Sequence, residues 1–139
     1  MGEGSSTDEK QVLEAFRAYV AAFETLNSEA IAPYYHEPCL LIAPPGVFVM
    51  ATHSDVIRNF GDYMRDLRGR GFRSSTYTQL QAKLLGAGTA ILSGMCVRKG
   101  AQGEELERFG QTCTLRLTKG KWRIAVNAIH EPSGALQLG

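Results

Sequence analysis

The spacing of apolar residues divides the chain into a helical first half and an extended second half. Val12, Phe16, Tyr19 and Phe23 recur at intervals of three and four, which predicts one buried face of a long helix. From residue 73 the apolar residues alternate instead, and turn sequences separate four strand candidates at 73–85, 89–99, 105–118 and 121–130. Short turns between successive long strands predict an antiparallel meander.

Polar residues at the ends of the apolar stripes predict where helices begin. Ser6 and Glu9 have the spacing of a capping box before the first helix, and Thr52 and Asp55 form a similar pair before a third. Between them, Asn27 or Ser28 can cap a short helix that continues to residue 35 and that Pro33 should shorten or bend. The apolar face of the third helix is predicted to consist of Ile57, Phe60, Met64 and Leu67. Gly69 and Gly71 are predicted to end this helix.

Two short strands, 39–42 and 47–50, surround the turn Pro44-Pro45-Gly46. Three N-terminal helices followed by a meander predict an α+β fold, in which the helices pack on a strongly curved, mainly antiparallel sheet. A curved sheet wrapped around a long helix forms a cone with an open mouth. The length of 139 residues suits a single domain at 6–139, and the first residues, 1–5, are predicted to be disordered.

Composition excludes several function classes. The 15 Lys and Arg residues nearly cancel the 14 Asp and Glu residues, so nucleic acid and anionic membranes are not expected as partners. Cys39, Cys96 and Cys113 are odd in number and lie in apolar runs, which predicts buried thiols in a reducing compartment. The apolar run 39–51 is interrupted by prolines and too short to cross a bilayer, so we predict a cytoplasmic protein.

The order of elements resembles the nuclear-transport-factor-2-like superfamily, the cone-shaped, cystatin-like fold of ketosteroid isomerases and SnoaL-like polyketide cyclases. The segment RAYVAAFETLNSEAIAPYY is similar to the first two helices of the isomerases, and VIRNF is similar to the start of their third helix. The segment GKWRIAVNAIHEPS resembles the last strand of SnoaL-like members. The resemblance covers nearly the whole chain and implies a homodimer formed through the outer face of the sheet. No cofactor is predicted.

The catalytic residues of the isomerases are mostly missing from the matching positions. The resemblance places Tyr19 at the oxyanion-hole tyrosine, but it places Ala43 at the general-base aspartate. The supporting tyrosine of the third helix falls at Gly61, and the protonated acid of the oxyanion hole falls near Cys113. The isomerases pair a carboxylate base with a neutral carboxylic acid, and neither acid is present at these positions. Because alanine cannot move a proton, isomerisation of a ketosteroid by this route is expected to be absent.

Tyr19 and His130 are the candidate catalytic residues. Alternation along the last strand places His130 on the same face as Trp122, so an imidazole at the cone mouth could act as a base. A structural histidine bonded to backbone or water is the open alternative. Tyr19 has a similar alternative, since a tyrosine on a helical core stripe commonly serves packing.

The apolar cavity walls are predicted from the faces that also carry these two residues. On the third strand of the meander, Gln111 and Cys113 share a face with Leu115, so Gln111 either contacts a ligand or is satisfied by backbone or water. Nothing local lowers the pKa of Cys113, which favours an inert thiol. The predicted ligand-binding residues are Phe23, Phe60, Met95, Gln111, Cys113, Leu115 and Trp122.

Three further motifs have ordinary structural explanations. The His-Glu-Pro sequences at 36–38 and 130–132 have no metal-ligand spacing, so no metal site is predicted. The Gly-Ala-Gly at 86–88 is typical of a hairpin turn, since no helix follows it. Four arginines within 65–73 stabilise the end of a helix, and an anion site there is the alternative.

The sequence therefore predicts a cone-fold protein whose apolar cavity binds a small hydrophobic or aromatic molecule. The resemblance implies a cyclase, isomerase or hydrolase of the SnoaL-like kind as the enzymatic version of this function. The alternative is a ligand carrier or protein-interaction module of the same fold without catalysis.

Overall fold

The computed structural model describes residues 2–138, with side chains from residue 8 onward. It contains three α-helices, six β-strands and two 3₁₀ turns. The helices are α1 (Gly2–Phe23), α2 (Ser28–Ile31) and α3 (His53–Gly69), and the 3₁₀ turns are Ala32–Tyr34 and Pro132–Gly134. The strands are β1 (Tyr35–Ala43), β2 (Gly46–Met50), β3 (Phe72–Gly86), β4 (Thr89–Gly100), β5 (Glu105–Thr118) and β6 (Lys121–His130).

The six strands form one sheet in the order β2-β1-β6-β5-β4-β3. All neighbouring pairs are antiparallel except β1 and β6, which run parallel. The predicted α+β class and the antiparallel meander β3 to β6 are confirmed. Four of the five strand pairs contain a register shift, and such bulges bend and twist the strands.

The first helix begins earlier than its predicted capping box. As described, α1 starts at Gly2, so Ser6 lies inside the helix and the predicted cap there is wrong. Glu9 instead accepts a hydrogen bond from the backbone N–H of Leu84 (3.4 Å), which ties α1 to β3. Met1 lies outside the described residues, and the disorder predicted for 1–5 stays a prediction.

The two other helix starts follow the predicted capping chemistry. The side chain of Asn27 accepts from the backbone N–H of Glu29 (3.0 Å), and Thr52 and Asp55 form a complete capping box. The second helix ends at Ile31, because Pro33 lies in a 3₁₀ turn and β1 already begins at Tyr35. The helix predicted to continue to residue 35 is therefore shorter than expected.

The core lies between α1, α3 and the inner face of the sheet. The predicted face of α1 is fully buried, with exposures of 3% or less for Val12, Phe16, Tyr19 and Phe23. On α3 the buried residues are Val56, Phe60, Met64 and Leu67, so Val56 replaces the predicted Ile57 at the start of that face. Within the described residues, no helix is long and apolar enough to span a bilayer.

A bulge in β6 decides which of its residues face the core. Thr114 pairs with Val126, whereas the next residue, Leu115, pairs with Ile124. The extra residue reverses the alternation, because side chains on either side of a bulge change faces. Trp122 and Ile124 point to the core before the bulge, and Asn127 is buried after it (2% exposed). His130 consequently lies on the outer face, and its predicted inward orientation is wrong.

Candidate functional site

A cavity of about 310 Å³ lies between α3, the β1–β2 hairpin and the inner face of β4, β5 and β6. Exposed residues of the hairpin, including Pro44 and Phe48, form its rim. Most of its lining is apolar, which suits an apolar ligand. The principal apolar lining residues are Leu41, Pro44, Phe48, Phe60, Phe109 and Ile129.

A chain of buried and partly buried polar side chains, here called the tyrosine–amide chain, runs along this cavity. It begins with the hydroxyl pair of Tyr19 and Tyr35 (2.7 Å) and continues through the Asn127 amide, which donates to Tyr35 (2.9 Å). Gln111 donates to the Asn127 carbonyl oxygen (2.8 Å), and Tyr77 donates to Gln111 (2.7 Å). Three of the five members, Tyr19, Asn127 and Gln111, also line the cavity.

The donor of the Tyr19–Tyr35 hydrogen bond can be assigned by finding an acceptor for each hydroxyl hydrogen. Asn127 donates to Tyr35, so the hydroxyl hydrogen of Tyr35 has Tyr19 as its only acceptor among the described residues. If Tyr19 donated instead, Tyr35 would keep an unpaired hydrogen at 0% exposure, which is costly. We therefore assign Tyr35 as the donor, which leaves the hydroxyl hydrogen of Tyr19, a residue of the cavity lining, without an acceptor among the described residues.

Burial keeps both hydroxyls protonated. Desolvation raises the pKa of Tyr19, and the hydrogen bond from Tyr35 offsets only part of that increase. Desolvation also raises the pKa of Tyr35 well above its usual value. Tyr19 is therefore a neutral hydrogen-bond donor, suited to an acceptor oxygen on a ligand, and it is a poor base.

A second polar group on the cavity wall is the ion pair of Arg98 and Glu107. Nε of Arg98 donates to the Tyr63 hydroxyl (2.9 Å) and to Oε2 of Glu107 (3.3 Å). Tyr63 also donates to Oε2 of Glu107, and Arg70 donates to its Oε1 (2.7 Å). Burial raises the pKa of Glu107, but these hydrogen bonds and cationic charges outweigh it and lower the pKa overall.

Aromatic rings hold the guanidinium group of Arg98 in place. Its central carbon lies 4.3 Å from the ring centroid of Phe23 and 5.0 Å from that of Phe109. These distances are typical of cation–π contacts. Arg98 is only 6% exposed, and Glu107 completes the neutralisation of its charge. The charged pair is thus part of a closely packed wall rather than a flexible surface feature.

The structure brings three of the nine predicted site residues to the cavity lining. Tyr19, Phe60 and Gln111 line it directly. Phe23, Cys113 and Leu115 are buried in the core and are not among the lining residues, so their predicted place on the wall is wrong. Phe23 contributes indirectly, since it supports Arg98.

Three further predicted residues lie elsewhere. Met95 alternates with the buried residues Cys96 and Gly94 and lies on the outer face of β4. Trp122 lies at the opposite end of β6, beside Tyr34 and outside the cavity. His130 bonds to the Thr112 hydroxyl (2.8 Å) and to the backbone carbonyl of Glu131 (2.9 Å). The predicted cavity shared by Tyr19 and His130 is therefore wrong, and the structural alternative for His130 describes its contacts.

The three cysteines are free and buried, as predicted. Burial raises the pKa of the Cys113 thiol to about 12 and that of Cys39 to about 11. A thiol with a raised pKa is a weak nucleophile because little thiolate is present near neutral pH. The favoured interpretation of Cys113 as an inert thiol is supported.

The remaining motifs have protein partners. His36 bonds to the backbone carbonyl of Pro38, as His130 does to that of Glu131. Among the side chains described, those of residues 8–138, no group of three His, Cys, Asp or Glu residues could hold a metal ion. The Gly-Ala-Gly at 86–88 is the hairpin turn between β3 and β4. Of the four arginines, Arg65 pairs with Asp62, Arg70 pairs with Asp66 and Glu107, and Arg68 donates to the backbone carbonyl of Leu26, so three of them have protein partners.

Sequence reasoning missed the polar residues that give the cavity its chemistry. Arg98 and Glu107 each lie two residues from a buried residue of the same strand and therefore share the inner faces of β4 and β5. That spacing was the available signal that they point inward. Asn127 carried no such signal, because the bulge places it inward against the alternation of β6. The sequence pattern predicts Tyr35 at a helix end, although it is the first residue of β1.

The site offers a hydrogen-bond donor without an efficient general base. Ala43 lines the cavity, so the position that the resemblance assigned to the base is part of this site. Among the described lining residues, Glu107 is the only carboxylate, and three donors already bind its oxygens. Its lowered pKa makes it a poor proton acceptor. The arrangement can polarise an acceptor oxygen, but it is not arranged for proton abstraction.

Together these features define a class: small α+β proteins in which helices cover a bent sheet and enclose a ligand-sized cavity. The chain belongs to the family described as NTF2-like protein (DUF6841), whose sequence model matches residues 8–132. The predicted superfamily is thereby confirmed. A search of curated proteins gave no significant match.

Solved structures share this fold at low sequence identity. An NTF2-like protein with a cystatin-like fold from Novosphingobium aromaticivorans is 16% identical, with a TM-score of 0.74, over 90% of this chain and 82% of that one. An NTF2-like protein of unknown function from Pseudomonas putida is 14% identical, with a TM-score of 0.74, over 91% and 87%. A protein from Streptomyces avermitilis, provisionally named a dehydratase of the NTF2-like family, is 16% identical, with a TM-score of 0.71, over 91% and 96%.

Proposed function

We propose that the cavity binds a small, neutral, mainly apolar molecule and that Tyr19 donates a hydrogen bond to an acceptor oxygen of that molecule. The observation that carries the proposal is Tyr19, which lines an apolar cavity and whose hydroxyl hydrogen has no acceptor among the described residues once Tyr35, which Asn127 holds, donates to it. A carbonyl oxygen is the simplest acceptor for such a donor.

Size and charge define the ligand further. A volume of about 310 Å³ lies near the lower limit for ligand cavities, which corresponds to a molecule of one or two rings. Arg98 and Glu107 are the charged residues of the lining, and they neutralise one another. A neutral ligand therefore brings no uncompensated charge into the cavity. The several aromatic rings of the lining favour a flat ring system.

Binding is better supported than proton-transfer catalysis. A donor directed at a carbonyl can stabilise negative charge on its oxygen, which is one half of the chemistry of enolisation or addition. The other half, a base of suitable pKa, is not provided by Glu107 or Ala43. The absence of ketosteroid isomerisation remains our prediction, and a ligand carrier remains the alternative to a SnoaL-like enzyme. The three buried free thiols suit the reducing cytoplasm, which we propose as the compartment.

The proposal is tested with acetylnaphthalene and ethylnaphthalene, two probes that differ in the carbonyl oxygen. We expect the wild-type protein to bind acetylnaphthalene more tightly than ethylnaphthalene. In Tyr19→Phe this preference is expected to fall by about tenfold, the value of one buried hydrogen bond of about 1.4 kcal/mol. Titration calorimetry measures the four affinities.

Tyr34→Phe is the matched control, because Tyr34 lies beside Trp122 outside the cavity. It removes a hydroxyl of the same type and is expected to leave the preference unchanged. Thermal unfolding of both variants checks that the fold is retained. Failure of both probes to bind, or an equal loss in both variants, contradicts the proposal.

We also propose that the chain forms a homodimer through the outer face of the sheet. On this face Val47 and Val49 of β2 are 62% and 70% exposed, and they pair with Ile42 and Leu40 of β1. The segment after β6 covers another part of the same face, since the Leu136 N–H donates to the Ser93 hydroxyl (2.9 Å). The exposed valines are therefore the available apolar surface.

Sedimentation at micromolar concentration is expected to give the mass of a dimer, about twice the 15.2 kDa of one chain. Val49→Lys is expected to shift the population toward monomers by at least tenfold, since a lysine would be buried without a partner. Leu85→Lys is the control, because Leu85 is also exposed (57%) but lies at the far end of β3. A monomeric wild-type protein, or equal effects of the two lysines, excludes this interface.

A further inference from the structure

We propose that the Arg98–Glu107 pair is a second polar anchor of the cavity and that it binds a hydroxyl group of the ligand. This inference rests on the proposed function, because it concerns the same ligand in the same cavity. It adds a chemical requirement that the Tyr19 donor alone does not impose.

Arg98 retains an unused donor. Its Nε binds Tyr63 and Glu107, and its Nη1 donates to the Ser75 hydroxyl (2.6 Å). Its Nη2 has no hydrogen-bond partner among the described residues. Every fully buried side-chain nitrogen or oxygen of the described residues does have a partner, so Nη2 is not fully buried. Nη2 is therefore accessible, and Arg98, which is 6% exposed, lines the cavity.

Glu107, the ion-pair partner of Arg98, retains an unused acceptor position. Oε2 accepts from Tyr63 and Arg98, whereas Oε1 accepts from Arg70 alone. An ionised carboxylate has about four acceptor positions, so Oε1 can accept one more hydrogen bond. The Glu107 side chain is 26% exposed and lines the cavity. One ion pair in an apolar wall thus supplies both a donor and an acceptor of opposite charge.

A hydroxyl group uses both halves of such a pair. It accepts a hydrogen bond from Nη2 of Arg98 and donates its own hydrogen to Oε1 of Glu107. A carboxylate would gain Arg98 but meet the negative charge of Glu107, and an ammonium group would meet the reverse. An ether or carbonyl oxygen would satisfy Arg98 alone. Phenols and alcohols are therefore the chemical class that the pair selects.

The burial of the pair supports a role in binding. Replacing a buried ion pair with apolar residues of similar volume is often neutral or stabilising, so stability by itself is a weak reason for the pair. Fixed in place by Phe23, Phe109 and Tyr63, the pair is held ready for a ligand and needs no rearrangement.

The test compares acetylnaphthalene with its hydroxyl-substituted derivatives, which are isomers of one another and are here called the hydroxyl isomers. It also includes a carboxylate-substituted derivative. In the wild-type protein, we expect at least one hydroxyl isomer to bind about tenfold more tightly than acetylnaphthalene, as expected for one or two additional hydrogen bonds. The carboxylate derivative is expected to bind more weakly than acetylnaphthalene. This ranking requires no variant, so it does not depend on the folding of any mutant.

Glu107→Gln tests the assignment to this pair. The variant keeps the shape of the side chain but removes its negative charge, which leaves the charge of Arg98 uncompensated. We expect the advantage of the hydroxyl isomer to decrease and the carboxylate derivative to gain at least tenfold in affinity. Glu105→Gln is the control, since Glu105 pairs with Arg108 at an exposed position outside the cavity.

The outcomes separate this inference from the proposed function. If acetylnaphthalene binds and Tyr19→Phe weakens it, but no hydroxyl isomer gains affinity, the second anchor is wrong and the proposed function stands. If the hydroxyl isomers gain affinity equally in wild type and in a folded Glu107→Gln variant, the assignment to this pair is wrong. If none of the probes binds, the proposed function fails and this inference fails with it.

Discussion

Replacement of Arg98 with methionine is expected to lower the free energy of unfolding by about 3 to 5 kcal/mol, the usual cost of removing one partner of a buried ion pair. Glu107 would keep Arg70 but lose the cation within its own wall, and the Ser75 hydroxyl would lose its donor. Methionine has a similar length, so the loss would come mainly from the charge and the hydrogen bonds rather than from a cavity. Urea denaturation, followed by the fluorescence of Trp122, measures the change.

Two further variants show whether the loss of stability in Arg98→Met comes from the buried ion pair. Arg108→Met removes an arginine whose ion pair with Glu105 is about half exposed, and it is expected to cost far less stability than Arg98→Met, because solvent screens an exposed pair. The double variant Arg98→Met, Glu107→Leu also removes the carboxylate that has lost Arg98, and it is expected to recover part of the stability lost in Arg98→Met. If Arg98→Met cost no more than Arg108→Met, the buried pair would not contribute to stability as described.

Gly110→Ala is expected to destabilise the protein by about 1 to 3 kcal/mol, the range for overpacking a close contact. A Cβ atom at this position would lie 2.5 Å from the Glu131 carbonyl oxygen and 2.5 Å from Cε1 of His130. The backbone carbonyl cannot rotate away as a side chain can, so the end of β6 must move. The Thr112–His130 hydrogen bond is therefore expected to be lost, which the imidazole resonances in an NMR spectrum would show.

Gly69→Ala provides the matched control for that substitution. It adds the same methyl group at the last residue of α3, where nothing lies within 4 Å of the new atom. Alanine is the better helix former, so stability is expected to be unchanged or slightly higher. Equal stability of the two variants in thermal unfolding would contradict the close packing between β5 and the end of β6.

Local chemistry explains why so many helix and strand boundaries could be predicted. The capping box at Thr52 and Asp55 requires only residues within one turn, so the start of α3 was readable from the sequence. The four strands of the meander were predicted to within a residue at each end, because glycine-containing turns separate them. Pro33 likewise limited the second helix through its own backbone geometry.

The facing of individual strand residues was less predictable. Strand β4 has apolar residues on both faces, so its alternation does not show whether Met95 or Cys96 points inward, and the prediction for Met95 was wrong. Charged residues are rarely buried without a partner, which argued against an inward Arg98 as long as Glu107 could not be placed beside it. The two residues pair across β4 and β5, and that pairing depends on the register of the sheet.

The sequence by itself determined the order of the helices and strands, the buried stripes of α1 and α3 and the membership in a cone-shaped fold class, because these follow from periodicity, caps and turns along the chain. Only the tertiary structure decided which residues share the cavity. Tyr35 joins Tyr19 and Asn127 across three elements, and a single bulge in β6 turns Asn127 inward and His130 outward. Such contacts depend on strand register and on packing between distant segments, and neither is encoded in the local spacing of residue types.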